Sequence, residues 1–281
     1  MKTVAILQAR MSSSRLPGKV LLPLADQPML TRVITRLQRA SRLDSILVAT
    51  TTDPADDPIA QFCAAHGFAC YRGAPYDVLA RYIGAAQAAE ADTIVRITAD
   101  CPLIDPDLVD AALAALHDPQ NPLDFCANRL PPPWGRTYPI GLDVEVCTRA
   151  ALERAAHEAT AAHHREHVLP YLYDDLPPDS LPATAPIARA QTPRGFRIGL
   201  LHHPEDFGAV RWTVDTPADL QALNALYALL GSRADFADWR EILSVWQANP
   251  ELQRLNAAVQ HKTLYDVDAR AVKQARSQVD R

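Results

Sequence analysis

Two rhythms of apolar positions alternate through the first half of the chain. Residues 3–8 (Thr-Val-Ala-Ile-Leu-Gln), 45–50 and 93–97 are short runs with apolar side chains on both faces, and 68–72 is a shorter one. Such runs predict strands covered on both sides. Between them lie helical spacings. Over 29–40 the apolar residues are Met29, Leu30, Val33, Ile34 and Leu37. Further helices are predicted over 55–66, closed by Gly67, over 77–89, and over 106–117, where Asp105 precedes Pro106 as an N-cap ahead of a first-turn proline. Strands alternating with amphipathic helices predict an α/β fold: a mostly parallel sheet flanked by helices.

The second half is less periodic. Residues 123–127 and 142–147 read as strands, with Pro131-Pro132-Pro133 in the loop between them. Helices are expected over 148–160 and 163–173. The proline-rich stretch 176–193 reads as irregular. Residues 210–214 are predicted to form a strand that enters a helix at Thr216-Pro217, two more helices fall within 236–259, and 265–281 reads as a charged tail. With no internal repeat and no linker, the division expected is a main domain over 1–230 and a helical C-terminal extension over 231–281 packed on it.

Composition narrows the class. The chain has 281 residues, 48% hydrophobic and 22% charged, enough for a sizeable core. A net charge of -5 argues against a general nucleic-acid partner, which needs a basic face. The apolar run at 3–7 is too short for a signal peptide and no stretch is long enough to span a membrane, so a cytoplasmic protein is expected. The cysteines Cys63, Cys70, Cys101, Cys126 and Cys147 follow no CxxC spacing and read as reduced, buried thiols.

The strand at 3–8 runs into Gln8-Ala9-Arg10-Met11-Ser12-Ser13-Ser14-Arg15-Leu16-Pro17-Gly18-Lys19. Ligands of open α/β sheets bind beyond the carboxyl ends of strands, where this loop must lie. Arg10, Arg15 and Lys19, three serines and the loop's backbone N–H groups suit a triphosphate. Arg15 and Lys19 are expected to be exposed there. Neither GxxxxGK[ST] nor GxGxxG is present.

That loop resembles the signature of the CMP-sugar synthetases within the cytidylyltransferase family, including those that activate Kdo and acylneuraminates. The likeness continues through Gln27-Pro28-Met29-Leu30, Arg72-Gly73 with Asp77-Val78-Leu79, and Arg96-Ile97-Thr98-Ala99-Asp100-Cys101-Pro102-Leu103. It includes Tyr138-Pro139-Ile140-Gly141-Leu142-Asp143-Val144-Glu145, Arg165-Glu166-His167-Val168 and Arg211-Trp212-Thr213-Val214-Asp215-Thr216-Pro217. The set is nearest the spore-coat-polysaccharide F-type subgroup and covers roughly 1–230. It implies a GT-A-like nucleotidyltransferase fold, CTP as donor, Mg²⁺ as cofactor, and transfer of CMP to a sugar, a sugar acid foremost, with pyrophosphate released for surface polysaccharide or glycoconjugate synthesis. A homodimer is compatible with it.

The resemblance implies a nucleotide site of Gln8, Ala9, Arg10, Ser12, Ser13, Arg15, Lys19, Arg72, Gly73, Asp77 and Asp100, with Arg72, Gly73 and Asp77 near the base. Relatives that activate Kdo carry an arginine near the place of Asp77-Val78, a departure here. Asp100 and Asp215 each follow a predicted strand, so both carboxylates are expected at the phosphate-loop edge. They match the family's metal aspartates, and Mg²⁺ takes one or two carboxylates plus phosphate oxygens. Arg10, Arg15, Lys19, Asp100 and Asp215 form the expected catalytic set. Asp143 and Glu145, two apart on one strand face, join Arg129, Tyr138 and His167 as sugar-side candidates, and Arg96, Arg129 or Arg136 could meet a sugar carboxylate.

His163-His164-Arg165-Glu166-His167 lacks the HExxH pattern and reads as helical histidines rather than a zinc site. Trp239 and Trp246 read as packing residues. Two alternatives remain at this level: a GT-A glycosyltransferase, for which Asp143-Val144-Glu145 only approximates DxD, and a non-catalytic nucleotide-binding protein.

Overall fold

The structure, a computed structural model, describes residues 1–182, 186–260, 263, 265 and 266. In chain order its strands are β1 (Thr3–Gln8), β2 (Pro23–Leu24), β3 (Gln27–Pro28), β4 (Ser45–Thr51), β5 (Cys70–Gly73), β6 (Thr93–Thr98), β7 (Phe125–Ala127), β8 (Glu145–Thr148), β9 (Ile187–Gln191) and β10 (Arg197–Leu201). The α-helices are α1 (Met29–Leu37), α2 (Asp57–His66), α3 (Val78–Ala88), α4 (Pro106–Leu116), α5 (Arg149–Glu158), α6 (Ala162–His167), α7 (Pro217–Leu230), α8 (Trp239–Ala248) and α9 (Pro250–Asn256).

Eight strands form one sheet in the order β5-β4-β1-β6-β8-β7-β10-β9, and β2 and β3 form a small separate ribbon. The β5-β4-β1-β6 half is parallel throughout. Beyond it β8 runs antiparallel between β6 and β7, β10 is parallel to β7, and β9 closes the edge antiparallel. The mostly parallel α/β sheet expected from the doubly apolar strands is thus present.

Those runs are apolar on both faces because both faces are covered. Ala5 and Leu7 of β1 join one buried cluster with α1, α4, α7 and α8; Val4 and Ile6 join another with α3 and α5. Asp105 caps α4 by accepting from the Asp107 and Leu108 N–H groups, and Gly67 ends α2 at φ +71°. No helix among the described residues is long and apolar enough to cross a membrane.

Four expectations need correction. Residues 210–214 are not a sheet strand: the β-bridge they make among the described residues is an isolated parallel one, Ile140 with Arg211. Ile140 N–H donates to Val210 O at 2.8 Å and Trp212 N–H to Ile140 O at 2.7 Å. Gly141 permits this approach. Its φ is +102°, and a Cβ there would lie 2.6 Å from the Trp212 carbonyl carbon.

The expected helix over 163–173 is broken. After α6, Val168 takes φ +75°, and Pro170 starts a separate 3-10 turn, Pro170–Leu172, because proline supplies no N–H to continue a helix. The stretch 176–193 is not wholly irregular. It contains β9, which as an edge strand tolerates flanking prolines, and its antiparallel partner β10 lies in a stretch for which no element is predicted. Finally, neither of the two cations expected at the surface is exposed: Lys19 is 7% accessible and Arg15 is half-buried.

In the C-terminal region, α8 and α9 pack with α7. Of the predicted tail over 265–281, residues 267–281 lie outside the described residues. All five cysteines are free thiols, and all but Cys70 are buried.

Candidate active site

The loop after β1 is held before it meets any ligand. Ala9 N–H donates to Ala49 O at 3.1 Å, and Met11 N–H to the buried Asp56 Oδ1 at 2.6 Å. Ser13 and Gly18 N–H both donate to Met11 O at 2.9 Å. Gly18, at φ +70°, opens the 3-10 turn Lys19–Leu21. Several of the backbone donors expected to face a triphosphate are therefore spent on folding the loop. What the loop aims at the site is side chains.

Lys19 Nζ is the junction. It donates to Asp100 Oδ2 at 2.6 Å, to Asp215 Oδ1 at 2.9 Å and to Val214 O at 2.8 Å. Burial alone would push this ammonium toward neutrality, but the two carboxylates hold it above its ordinary pKa. Asp100 lies two residues past the end of β6, and its main chain carries the other aspartate. Val214 N–H donates to Asp100 O at 2.9 Å, and Thr213 Oγ1 donates to the same oxygen at 3.1 Å. Hence the two carboxylates meet even though 210–214 lies outside the sheet.

Asp215 is steered further by Arg15 NH2 at 3.0 Å and Arg211 NH2 at 2.9 Å. Burial works to raise its pKa, yet the charges of Lys19, Arg15 and Arg211 win and hold it well below the usual carboxylate range. Arg211 is fixed in turn by Asp219, fully buried, which accepts from Arg211 Nε at 2.8 Å and from Asp215 N–H at 3.0 Å. Asp219 also completes the α7 capping box with Thr216. For Asp219 too, Arg211 outweighs burial and the pKa is lowered. Arg211 and Asp219 carried no functional reading in the sequence.

Two adjoining cavities share Gln8, Arg10, Arg15, Thr98, Asp100 and Asp215. The smaller, about 170 Å³, also touches Ser13, Ser14 and Lys19. The larger, about 250 Å³, extends to Arg96, Arg129, Asp143, Glu145, Glu166 and His167. Gln8, Arg10, Ser13, Arg15, Lys19, Asp100 and Asp215 are therefore brought together, and Arg129, Asp143, Glu145 and His167 gather at the far end.

Asp143 accepts from Arg136 at 2.5 and 3.2 Å, with Arg129 Nε at 3.7 Å. Glu145, 4% accessible, is ion-paired to Arg96. Only Glu145 lies on a strand; Asp143 sits in the approach to β8, yet both line the same cavity. Glu166, Tyr173, Thr263 and Asp266 also line it. Of these only Glu166 had a signal, its place between Arg165 and His167.

Other expected residues stand elsewhere. Ala9 is a core residue, and Ser12 is exposed outside both linings, its place taken by Ser14. Tyr138 packs its ring edge-on to Trp239 at 5.5 Å. Arg72, Gly73 and Asp77 also lie outside both linings. Arg72 bonds Thr51 O at 2.9 Å and Asp57 at 2.6 Å, and a Cβ on Gly73 would meet the Tyr71 ring at 2.8 Å. Asp77 caps α3 and accepts from Arg165 Nε at 3.1 Å, pinning α6 to α3. His163 and His164 turn not to His167 but to Asp174, at 3.2 and 2.5 Å.

The family model described as cytidylyltransferase matches residues 4–228. The chain belongs to the cytidylyltransferase family. It is 29% identical over 253 residues to the spore coat polysaccharide biosynthesis protein SpsF of Bacillus subtilis, covering 88% of this chain and 94% of that one. To a 3-deoxy-manno-octulosonate cytidylyltransferase of Solibacter usitatus it is 30% identical over 249 residues, covering 80% and 94%. A solved cytidylyltransferase from Leptospira borgpetersenii superposes with a TM-score of 0.79 at 28% identity, covering 93% of this chain and all of that one. This cytidylyltransferase thus has the GT-A-like nucleotidyltransferase fold that the loop's resemblance implied.

Proposed function

We propose that this protein transfers CMP from CTP to a sugar, a sugar acid foremost, with release of pyrophosphate. The observation that carries the reading is the Lys19–Asp100–Asp215 junction at the border of two cavities. One cavity is rimmed by the cationic loop and suits a triphosphate; the other is lined by polar groups and suits a sugar. The polysaccharide role named for SpsF and the cytidylyltransferase activity named for the Solibacter enzyme support it.

The donor set fits Mg²⁺. Asp100 Oδ2 and Asp215 Oδ1 already share one cation at 2.6 and 2.9 Å, and both are oxygens, the ligands this ion prefers. Asp100 and Asp215 would hold it, and when bound it would neutralise phosphate charge and polarise the α-phosphorus. The chain's own groups supply the rest. Arg10 and Arg15 orient the β- and γ-phosphates and stabilise the leaving pyrophosphate. Across the border, Glu145, Glu166 and His167 offer hydrogen bonds to sugar hydroxyls, holding the anomeric oxygen in line with the α-phosphorus. Arg129 is the cation for a sugar carboxylate: Arg136 grips Asp143 through two bonds, whereas Arg129 stands 3.7 Å from it.

The test is a pyrophosphate-release screen of ATP, CTP, GTP and UTP with Mg²⁺ against neutral sugars and sugar acids. Release with CTP and a sugar acid is expected. Nucleotide binding without release for any sugar would overturn the enzymatic reading in favour of a binding protein, and release with a different nucleotide would overturn the cytidine assignment.

A further inference from the structure

Resting on the metal reading above, we infer that the Lys19 ammonium is a resident cation that holds the Asp100–Asp215 site and is exchanged for the divalent ion when the nucleotide arrives.

The geometry is that of an occupied cation site. Lys19 Nζ has three donors and three oxygen partners, Asp100 Oδ2, Asp215 Oδ1 and Val214 O, all at 2.6–2.9 Å. Its side chain is 9% accessible, so this is a built-in arrangement rather than a surface pairing. A dication between the same two carboxylate oxygens would stand within a few ångströms of the ammonium. Two like charges that close in a site shielded from water repel strongly. Ammonium and metal ion therefore compete for one place.

The lysine also has somewhere to go. It lines the smaller cavity beside Arg10, Ser13, Ser14 and Arg15, where the triphosphate would lie. Its four-carbon stem is flexible, and an ammonium serves phosphate as a point charge without demanding a fixed plane. Rotation about the stem moves Nζ from carboxylate to phosphate oxygens, still protonated. The two aspartates are then released together, because the Val214–Asp100 backbone bond keeps them side by side.

The arrangement has a thermodynamic consequence. A nucleotide that draws Lys19 away raises the metal affinity of Asp100 and Asp215, and by linkage the metal raises nucleotide affinity equally. Without nucleotide, the lysine protects the paired carboxylates and keeps the free metal out.

The experiment measures Mn²⁺ binding to the full chain without nucleotide, by water-proton relaxation, for wild type, Lys19→Met, and Lys19→Met combined with Asp100→Asn. Lys19→Met is expected to bind at least ten-fold more tightly than wild type, and the added Asp100→Asn to abolish the gain. Equal binding by wild type and Lys19→Met overturns the exchange alone, as does a gain that survives Asp100→Asn. Absence of Mn²⁺ binding in every chain, with or without CTP, overturns the metal reading and the exchange with it.

Should Lys19→Met fail to fold, the wild-type chain carries the test. It has four lysines, Lys2, Lys19, Lys262 and Lys273, so ¹⁵N-lysine labelling resolves few side-chain signals, and Lys19→Arg assigns the one of interest. The Lys19 Nζ signal is expected to shift when Mg²⁺ and CTP are added without sugar. A signal that stays in place while thermal shift shows the nucleotide bound overturns the proposal.

Discussion

Removal of the Asp219 carboxylate tests how the site is braced, because that residue lies outside both site linings yet holds Asp215, which is in them. Asp219 is fully buried and accepts from Arg211 Nε and NH2 at 2.8 and 3.1 Å, from Asp215 and Thr216 N–H at 3.0 and 2.9 Å, and from Asn256 Nδ2 at 3.2 Å. In Asp219→Ala the Arg211 guanidinium, 6% accessible, loses the carboxylate that takes two of its bonds and keeps its bond to Asp215. Breaking a buried ion pair from one side costs about 3–5 kcal/mol, and loss of the α7 cap about 1 kcal/mol. The two overlap, since the same oxygens serve both, so roughly 3–5 kcal/mol in total is expected. That is a large share of the ~5–15 kcal/mol stability of a typical protein. Asp219→Asn keeps an acceptor and the side-chain shape, and should cost about 1–3 kcal/mol. Urea unfolding reads both as a fall in the midpoint at unchanged slope. Pyrophosphate release should fall more than ten-fold in folded Asp219→Asn, because the one remaining oxygen cannot serve both Arg211 and the Asp215 N–H. An Asp219→Ala chain within about 1 kcal/mol of wild type would refute the account of the brace.

Asp100→Asn and Asp215→Asn should each remove most pyrophosphate release, and the double variant should cost little more, since residues acting as a unit are non-additive; losses that multiply would mean the carboxylates act separately. Arg15→Ala should cut turnover at least ten-fold with stability within about 1 kcal/mol of wild type, and unchanged turnover would reduce the loop to a scaffold. CTP with Mg²⁺ should raise the melting temperature more than ATP, GTP or UTP; a larger rise with another nucleotide would sink the choice of base. Asp215 and Asp219 titrate below the unfolded carboxylate value of about 3.9. The stability they contribute is therefore present above that pH and lost as pH falls through their folded values. Urea midpoints should drop below about pH 4, and less steeply in Asp219→Asn.

The sheet was legible because doubly apolar strands and spaced helices are strong local signals, and β1, β4 and β6 lie where their runs of Val, Ile and Leu place them. The cationic end of the site was legible for a similar reason: Arg10, Arg15 and Lys19 are concentrated in one loop at a strand end. Local pattern could not show that Lys19 turns inward, since its partners lie 81 and 196 residues away. The segment before Asp215 reads as a strand because it is apolar, but its hydrogen bonds go to Ile140 and Asp100 rather than to a sheet. Tyr138 and Asp77 carry polar groups in suggestive motifs. Burial against Trp239 in one case, and the α3 cap with Arg165 in the other, commit them to structure.

Gly141 belongs to two walls at once. It lines the larger cavity, and its bare Cα lets Ile140 grip the segment that delivers Asp215. The residues proposed for the sugar side, Arg129, Glu166 and His167 among them, lie on other segments of the chain than that bridge. Substitutions at those positions should therefore change the far end of the cavity while Asp215 keeps its seat. A side chain at 141 allows no such independence: it would push Trp212 and Thr213 outward and carry the Asp215 carboxylate with them. At Gly141 the shape of the larger cavity and the seating of Asp215 cannot be changed separately, because the residue lines the one and its bare Cα admits the other.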